Sequence, residues 1–327
     1  MLFQVASLPS LLLLGLASGT TRAATTAAGT IRTVYKFQDT PYTAIENVGV
    51  RSNGDLILNT ITAPKVYTLN PTASSPSPSL LYEFPGATSV LGIAQPSPDL
   101  FAVVVGNYST ATFQGIPGSF SVWTLDFTEL PVKVNKVTSI PQAHALNGMA
   151  TLPGSLTTVL VADSSLGAVF SVNIQDGAHK QVMQNEVFEP TSSFPLGING
   201  IHTSGNTLFY TNSAAGTFGS IPIASDGTSA GSAKAIASAP SEDTYDDFAL
   251  TSGRDAFVAT HQTSLFEVDP DGTQRMVINS PQLNNPTSLV FANGINTACV
   301  VYVVTAGEAE SNGTAAVSGG VYAVTVC

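Results

Sequence analysis

The chain is poor in charged residues and in basic residues above all. Of its 327 residues only 10% are charged, and 11 Lys and Arg stand against 22 Asp and Glu. Such an acidic surface repels phosphate backbones and anionic lipid. No segment after the N-terminal region approaches the run of about 18 apolar residues that a membrane-spanning helix needs. We therefore expect a monomer that binds a small molecule, with no nucleic-acid partner and no membrane contact after leader cleavage.

The one notable apolar run lies at the N-terminus, over residues 11–16. It is too short to span a bilayer, and small residues follow it over 17–24, a combination typical of a secretory signal peptide. We predict a signal peptide over residues 1–23 and a single mature domain over 24–327. The predicted location is the secretory pathway or the outside of the cell.

Cysteine is nearly absent, and the two present are Cys299 and Cys327. Both end strand-like runs that flank a turn near residues 311–313, so an antiparallel hairpin brings them within disulfide reach. An oxidising compartment favours the bond, and we predict a structural disulfide that holds the terminus in the last repeat. Asn107 and Asn312 begin sequons that predict N-glycosylated loops, with chance occurrence as the alternative.

A repeat of roughly 40 to 55 residues runs through the chain and predicts its fold. Each unit begins with a short inner run and continues with β-branched and aromatic strands separated by turn residues. Six inner runs are found, over residues 45–48, 90–94, 146–150, 198–201, 246–250 and 286–290. Six four-stranded units predict an all-β, six-bladed β-propeller.

The last unit supplies only three strands, whereas residues 30–37 form a strand-like run that belongs to no unit. Placing this run as the outer strand of the last blade closes the ring and removes an exposed sheet edge. The sequence therefore predicts that the N-terminal strand completes the last blade.

Polar residues at equivalent places in the inner runs are expected to face one another across the central channel. These are Glu46, Asn147, Asn199 and Asp247. Two carboxylates and two amide oxygens are suitable ligands for a hard cation such as Ca²⁺. The alternative is that the Asn-Gly pairs are turn formers whose side chains cap nearby backbone groups.

The runs at 147–150 and 199–201 and the strand-turn pattern over 163–170 resemble the SMP-30/gluconolactonase/strictosidine-synthase propellers. In the lactonases of that family a divalent metal is held by a Glu of the first blade and by Asn, Asn and Asp of later blades. The resemblance thus implies Glu46, Asn147, Asn199 and Asp247 as ligands if a lactonase-like site is retained. The sequence departs from the family at Asn47 and Phe248, which argues for a more apolar pocket.

In overall character the chain is also similar to the secreted fungal members of this superfamily, including the propeller hetero-Diels-Alderases of tropolone-sesquiterpenoid biosynthesis. A cycloaddition needs no nucleophile and no obligate metal or other cofactor. It needs a cavity that holds both reactants in a near-attack pose and a hydrogen-bond donor. On this interpretation the catalytic candidates are Asn147, Asn199, Asp247 and Tyr245.

Four further residues are predicted to contact an apolar substrate at the channel mouth. Phe248 and Tyr108 are expected to form walls, and two histidines close to inner runs are expected to reach the mouth, namely His144 and His202. Three functions stay open: a biosynthetic pericyclase of secondary metabolism, a lactonase or related hydrolase that needs a divalent metal, and a secreted propeller that binds a ligand without catalysis.

Overall fold

The structure is a computed structural model that describes residues 29–38, 42–240, 243–292, 299–310 and 315–327. Strands make up the regular structure of these residues, apart from a short 3₁₀ helix at Glu186–Phe188. The predicted signal peptide lies outside the described residues. No helix in the described part of the chain is long and apolar enough to cross a membrane.

Six four-stranded antiparallel sheets form the blades, and each runs from an inner to an outer strand. The first strand in the chain, β1 (Ile31–Lys36), belongs to the last blade. Blade 1 contains β2 (Ile45–Val50), β3 (Leu56–Thr60), β4 (Lys65–Leu69) and β5 (Ser79–Glu83). Blade 2 contains β6 (Ser89–Ser97) and β7 (Leu100–Gly106), then an inserted hairpin of β8 (Tyr108–Ser109) and β9 (Gln114–Gly115), then β10 (Ser121–Asp126) and β11 (Lys133–Ser139).

The remaining blades repeat this order. Blade 3 contains β12 (Leu146–Thr151), β13 (Thr158–Asp163), β14 (Ala168–Asn173) and β15 (His179–Gln184). Blade 4 contains β16 (Ile198–Ser204), β17 (Thr207–Asn212), β18 (Thr217–Pro222) and β19 (Lys234–Ser238). Blade 5 contains β20 (Tyr245–Leu250), β21 (Ala256–Thr260), β22 (Ser264–Val268) and β23 (Gln274–Asn279). Blade 6 contains β24 (Pro286–Phe291), β25 (Val300–Thr305), a hairpin of β26 (Gly307–Glu308) and β27 (Val317–Ser318), and β28 (Gly320–Thr325).

The inner strands contact one another in chain order, and β24 contacts β2 to complete the circle. The predicted six-bladed propeller is therefore confirmed. Its ring closes as expected, because β1 pairs antiparallel with β28 as the outermost strand of blade 6. The predicted disulfide is also confirmed: Cys299 and Cys327 are bonded, with their Cα atoms 5.1 Å apart.

The core lies between the blades. Middle strands such as β13 are buried along almost their whole length, since both faces of a blade pack against neighbouring blades. Outer strands such as β11 and β23 contain many exposed and polar residues, because one face of each meets solvent. Stacked blades thereby fix the six inner strands around the channel, which is where the candidate site lies.

Candidate functional site

Each inner strand carries a β-bulge near its start. The register with the second strand slips between Ile45 and Asn47 in blade 1. The other five slips lie between Val90 and Ile93, Leu146 and Met149, Ile198 and Ile201, Tyr245 and Phe248, and Pro286 and Ser288. Bulges re-aim side chains and are common beside active sites. Here they send successive side chains toward opposite ends of the channel.

The first residues of five of the six bulges form what we call the mouth ring: Glu46, Asn147, Asn199, Asp246 and Thr287. The corresponding residue of blade 2, Leu91, is buried in the core instead. The mouth ring forms the floor of a cavity of about 220 Å³, the mouth cavity. Its walls are mainly apolar and aromatic, and come from Tyr42, Ile61, Tyr108, Phe113 and Leu196. The hairpins β8–β9 and β26–β27 both contribute to these walls, so loops inserted in blades 2 and 6 give the cavity its depth.

Asp246 is held on the floor by two hydrogen-bonding partners. Nε2 of His261 lies 3.2 Å from Oδ2 of Asp246, and Nδ2 of Asn199 donates to Oδ1 at 2.9 Å. Burial disfavours the charged imidazole, but the hydrogen bond and charge of Asp246 outweigh it and raise the pKa of His261. Burial raises the pKa of Asp246 too, opposed by its bonds to His261 and Asn199. The contact therefore favours an imidazolium beside a carboxylate.

Glu46 is the second acid of the floor, and its surroundings favour the neutral form. Burial raises the pKa of Glu46 well above the usual range, and the nearby charges of Asp246 and Asp247 raise it further. A hydrogen bond with Asn147 opposes the rise. A neutral Glu46 and a paired Asp246 leave the floor with little net charge, which suits an apolar ligand.

The second residues of the bulges form the second ring, whose side chains are Asn47, Asp247 and Ser288. Nδ2 of Asn47 donates to Oδ2 of Asp247 at 3.2 Å, and the Ser288 hydroxyl lies 3.0 Å from the same oxygen. Nε2 of His202 lies 3.0 Å from Oδ1 of Asp247. This hydrogen-bonded cluster lies toward the end of the channel opposite the mouth, where its members line a cavity.

Glycines in the second ring let neighbouring inner strands approach closely. A Cβ on Gly148 would lie 2.2 Å from the carbonyl oxygen of Asn199, and one on Gly200 would lie 2.3 Å from Oδ1 of Asp247. Contacts below 3.0 Å are not tolerated by real Cβ atoms. The Asn-Gly pairs therefore serve close strand packing as well as presenting Asn147 and Asn199 to the cavity.

The structure brings four of the predicted site residues to the mouth cavity: Glu46, Asn147, Asn199 and Tyr108. It places Asp247 and His202 at the other end of the channel, where both line a cavity of about 180 Å³ and His202 also lines one of about 280 Å³. The expected convergence of Asp247 with the two asparagines at the mouth is wrong, since the bulge in β20 presents the preceding residue, Asp246, instead.

Three further predictions of contact with the mouth cavity are not met. Tyr245 is fully buried and its hydroxyl donates to Gln274 of the outer strand β23. Phe248 is fully buried in the core, edge-on to Phe218 at 5.1 Å between ring centroids. His144 is exposed on the loop before β12, outside the cavity lining. Tyr245 and Phe248 flank the bulge in β20, and both side chains pack within the blades instead of facing the mouth.

Sequence reasoning missed Asp246, His261 and Thr287. The signal for Asp246 was present, because Glu46-Asn47-Val48, Asn147-Gly148-Met149, Asn199-Gly200-Ile201 and Asp246-Asp247-Phe248 align as one repeated triplet. His261 follows the second strand of blade 5, and no pattern in the sequence shows that this loop turns back over the mouth. Thr287 is short and uncharged, and its hydroxyl donates to the Ile45 carbonyl at 2.8 Å.

The mouth ring does not fit a divalent metal as the lactonase resemblance implied. Within the described ranges, no three Asp, Glu, His or Cys side chains come together in a metal-binding arrangement. Asp246 accepts hydrogen bonds from nitrogen donors of Asn199 and His261, and Glu46 is bonded to Asn147. A floor whose carboxylates already meet N–H donors presents few free oxygen ligands to a cation.

Of the two predicted glycosylation sites, Asn107 lies directly before β8, beside the cavity-lining Tyr108. Asn312 lies outside the described residues. Glycosylation and secretion both stay predictions.

Two curated relatives share the name hetero-Diels-Alderase. One, from Sarocladium schorii, is 28% identical over 52% of this chain and 48% of its own length. The other, from a Phoma species, is 26% identical over 80% of this chain and 83% of its own length. The chain thus spans about half of the first relative and most of the second. No known family profile matches the sequence.

Solved propellers of the regucalcin and gluconolactonase type share the fold. A calcium-binding regucalcin from Agrobacterium tumefaciens is 12% identical with a TM-score of 0.59, covering 89% of this chain and 92% of its own. A gluconolactonase from Xanthomonas campestris is 11% identical with a TM-score of 0.60, covering 91% and 90%. The relatives confirm the resemblance to the hetero-Diels-Alderases, and the solved structures confirm the propeller fold that the SMP-30-like resemblance implied.

Proposed function

We propose that this chain is a pericyclase of secondary metabolism, which catalyses a hetero-Diels-Alder cycloaddition of an apolar reactive intermediate in the mouth cavity. The observation that carries the proposal is the cavity itself. Apolar and aromatic side chains form its walls, and the acids of its floor are paired with nearby nitrogen donors. Such a floor can receive an apolar substrate without presenting it an unpaired charge, and the one further acid among the described lining residues, Glu308, is exposed to solvent.

The chemistry of a cycloaddition matches what these walls provide. The reaction forms two σ bonds in one step, so the enzyme has no covalent intermediate to make. Fixing diene and dienophile within bonding distance removes much of the entropic barrier. Residues that confine the reactants, such as Phe113 and Leu196, then matter as much as polar groups do.

The sequence relatives support this function over hydrolysis. Both carry the name hetero-Diels-Alderase at 26 to 28% identity, whereas the lactonase neighbours share 11 to 12% and so support the fold alone. The arrangement of the mouth ring also disfavours the metal that a lactonase of this type needs. The pericyclase is therefore the function that we put to the test.

The test uses an ortho-quinone methide, released in solution from its phenol precursor, together with an excess of an apolar alkene. We expect the protein to accelerate formation of the dihydropyran product and to yield one enantiomer in excess, measured by chiral chromatography. The expected rate is unchanged by EDTA. Racemic product at the background rate would contradict the proposal, and calcium-dependent hydrolysis of a lactone panel would replace it with the lactonase.

A matched pair of variants locates the reaction. Phe113→Ala removes an aromatic wall of the cavity, and we expect it to reduce the enantiomeric excess. Leu130→Ala removes a similar exposed apolar side chain that lies outside the cavity, and we expect it to leave product and rate unchanged. Equal effects of the two variants would place the reaction elsewhere.

A further inference from the structure

Tyr108 is fixed over the mouth by the hairpin that carries it. Its backbone N–H donates to Oγ1 of Thr88 at 3.0 Å, and Tyr108 pairs with Gly115 across the hairpin. Gly115 in turn packs against blade 3, where a Cβ would lie 2.3 Å from the His144 carbonyl oxygen. The hairpin is therefore anchored on both sides, and the Tyr108 side chain packs against the neighbouring core cluster and lines the cavity.

The hydroxyl of Tyr108 differs from the polar groups of the cavity floor, and it shares this difference with Tyr42, the other phenol of the cavity walls. Asp246 is bonded to His261 and Asn199, Glu46 to Asn147, and Thr287 to a backbone carbonyl. Within the described part of the chain, by contrast, no hydrogen bond engages the Tyr108 hydroxyl. A hydroxyl that lines a cavity and has no partner in the protein can donate to an acceptor on a bound ligand, and the ligand gains this bond on binding.

The phenol keeps its proton over the whole working range of pH. Burial raises the pKa of Tyr108 well above its ordinary value, and the charges of Glu46 and Asp246 raise it further. The group therefore acts as a hydrogen-bond donor and not as a base. Its closeness to these two carboxylates also shows that it faces the polar floor of the cavity.

A donor in this place has a defined use in a hetero-Diels-Alder reaction. A heterodiene of the form C=C–C=O reacts with an alkene to form one C–C bond and one C–O bond. Three π bonds become one new C=C bond and these two σ bonds, and no atom leaves. A hydrogen bond to the carbonyl oxygen withdraws electron density from the heterodiene, which lowers the barrier to attack by an electron-rich alkene.

We propose that the Tyr108 hydroxyl is a catalytic hydrogen-bond donor to the carbonyl oxygen of a conjugated enone or quinone methide bound in the mouth cavity. This inference rests on the proposed function and adds the substrate class: an apolar molecule that carries a conjugated carbonyl at the end that meets the floor. The phenol proton stays on Tyr108 throughout, so the reaction needs no proton transfer and no co-reactant.

A binding experiment tests the substrate class without requiring turnover. β-Ionone, an apolar enone, and the corresponding hydrocarbon without the carbonyl are titrated against wild-type protein and Tyr108→Phe. We expect the variant to bind β-ionone about fivefold more weakly, the effect of one neutral hydrogen bond, and to bind the hydrocarbon unchanged. The infrared C=O stretch of bound β-ionone should lie at lower frequency in the wild type than in the variant.

The kinetic test uses the ortho-quinone methide and alkene. Tyr108→Phe should lower kcat about a hundredfold and raise KM only about fivefold, since the bond exists in the bound substrate and strengthens as charge develops on oxygen. Tyr82→Phe makes the same change on the outer strand β5 and should leave both constants unaltered.

The possible results separate the two proposals. Carbonyl-dependent binding that Tyr108→Phe weakens, with no cycloaddition, would keep the inference about ligand class and overturn the proposed reaction. Turnover that Tyr108→Phe leaves unaltered would keep the reaction and overturn the role of Tyr108. Loss of the carbonyl effect in Tyr42→Phe instead would assign the donor to the other phenol of the cavity and likewise overturn the inference.

Discussion

The two ends of the channel carry the same pair of side chains in different surroundings. At the mouth, Asp246 meets His261, and at the opposite end the next residue, Asp247, meets His202. Asp246 lies under a walled cavity, whereas Asp247 is surrounded by Asn47, Ser288 and the Phe248 backbone N–H. The comparison teaches that inserted hairpins give the mouth cavity its apolar and aromatic walls, whereas the cavities beside the Asp247–His202 pair are lined, among the described residues, by the inner strands and their neighbours alone.

The largest expected effect comes from the narrow part of the channel that separates the two ends. Gly148→Ala places a Cβ 2.2 Å from the Asn199 carbonyl oxygen, so blades 3 and 4 must move apart. We expect a loss of about 3 kcal/mol in the free energy of unfolding, measured by urea denaturation. Gly154→Ala serves as the control: its Cβ meets open space, and its left-handed backbone costs about 1 kcal/mol. Equal losses would show that the inner strands are not tightly packed.

The two aspartates should respond to the same substitution in opposite ways. Asp247→Asn puts an amide NH₂ among groups that donate to the carboxylate, and we expect it to lower the free energy of unfolding by about 2 kcal/mol while turnover stays within about twofold. Asp246→Asn removes the partner of His261 at the cavity floor, and we expect turnover to fall about tenfold.

Denaturation and steady-state kinetics on both variants check this crossed pattern. If Asp247→Asn were the variant that lost activity, the reaction would belong at the opposite end of the channel, and the assignment of the mouth as the site would be wrong.

The smallest expected effect is on the titration of the mouth pair. Because Asp246 raises the pKa of His261, the pair contributes stability that is fully present below about pH 6.5 and is lost as the pH rises through the folded pKa. Asp246→Asn should lower the pKa of His261 and weaken that pH dependence, with the charge of Asp243 still in place. NMR titration of the four histidines measures both, with the curves of the other three as internal controls. An unshifted His261 curve would show that the contact does not persist in solution.

The fold was predictable because the strand pattern of one blade recurs six times in the sequence. Six inner runs recur with similar spacing, and an orphan strand together with a three-stranded last unit leaves one economical way to close the ring. The disulfide followed from the same hairpin geometry. Each of these inferences uses strand patterning and chain connectivity. Stacked blades need the same buried strand residues and short connections in every unit, so both features recur along the sequence.

The site was predictable only in part, since it depends on the bulges. A strand without a bulge alternates its side chains strictly, and the register of Asp246 and Asp247 cannot then be assigned from one blade alone. Comparison with the Asn147 and Asn199 triplets would have identified Asp246. No such comparison identifies His261 or Phe113, because both lie in segments between strands, outside the repeated inner runs, and their approach to the mouth depends on how those segments fold over it.

The pairing of β1 with β28 sets the order in which a newly made chain can finish folding. β1 leaves the ribosome before any blade, yet its partner is the last described strand to be synthesised. Five blades can form as they emerge, while β1 waits without its partner and the inner circle stays open. The mouth cavity, whose lining includes residues of blades 1 and 6, is therefore completed only after the first strands of blade 6 have emerged and meet blade 1.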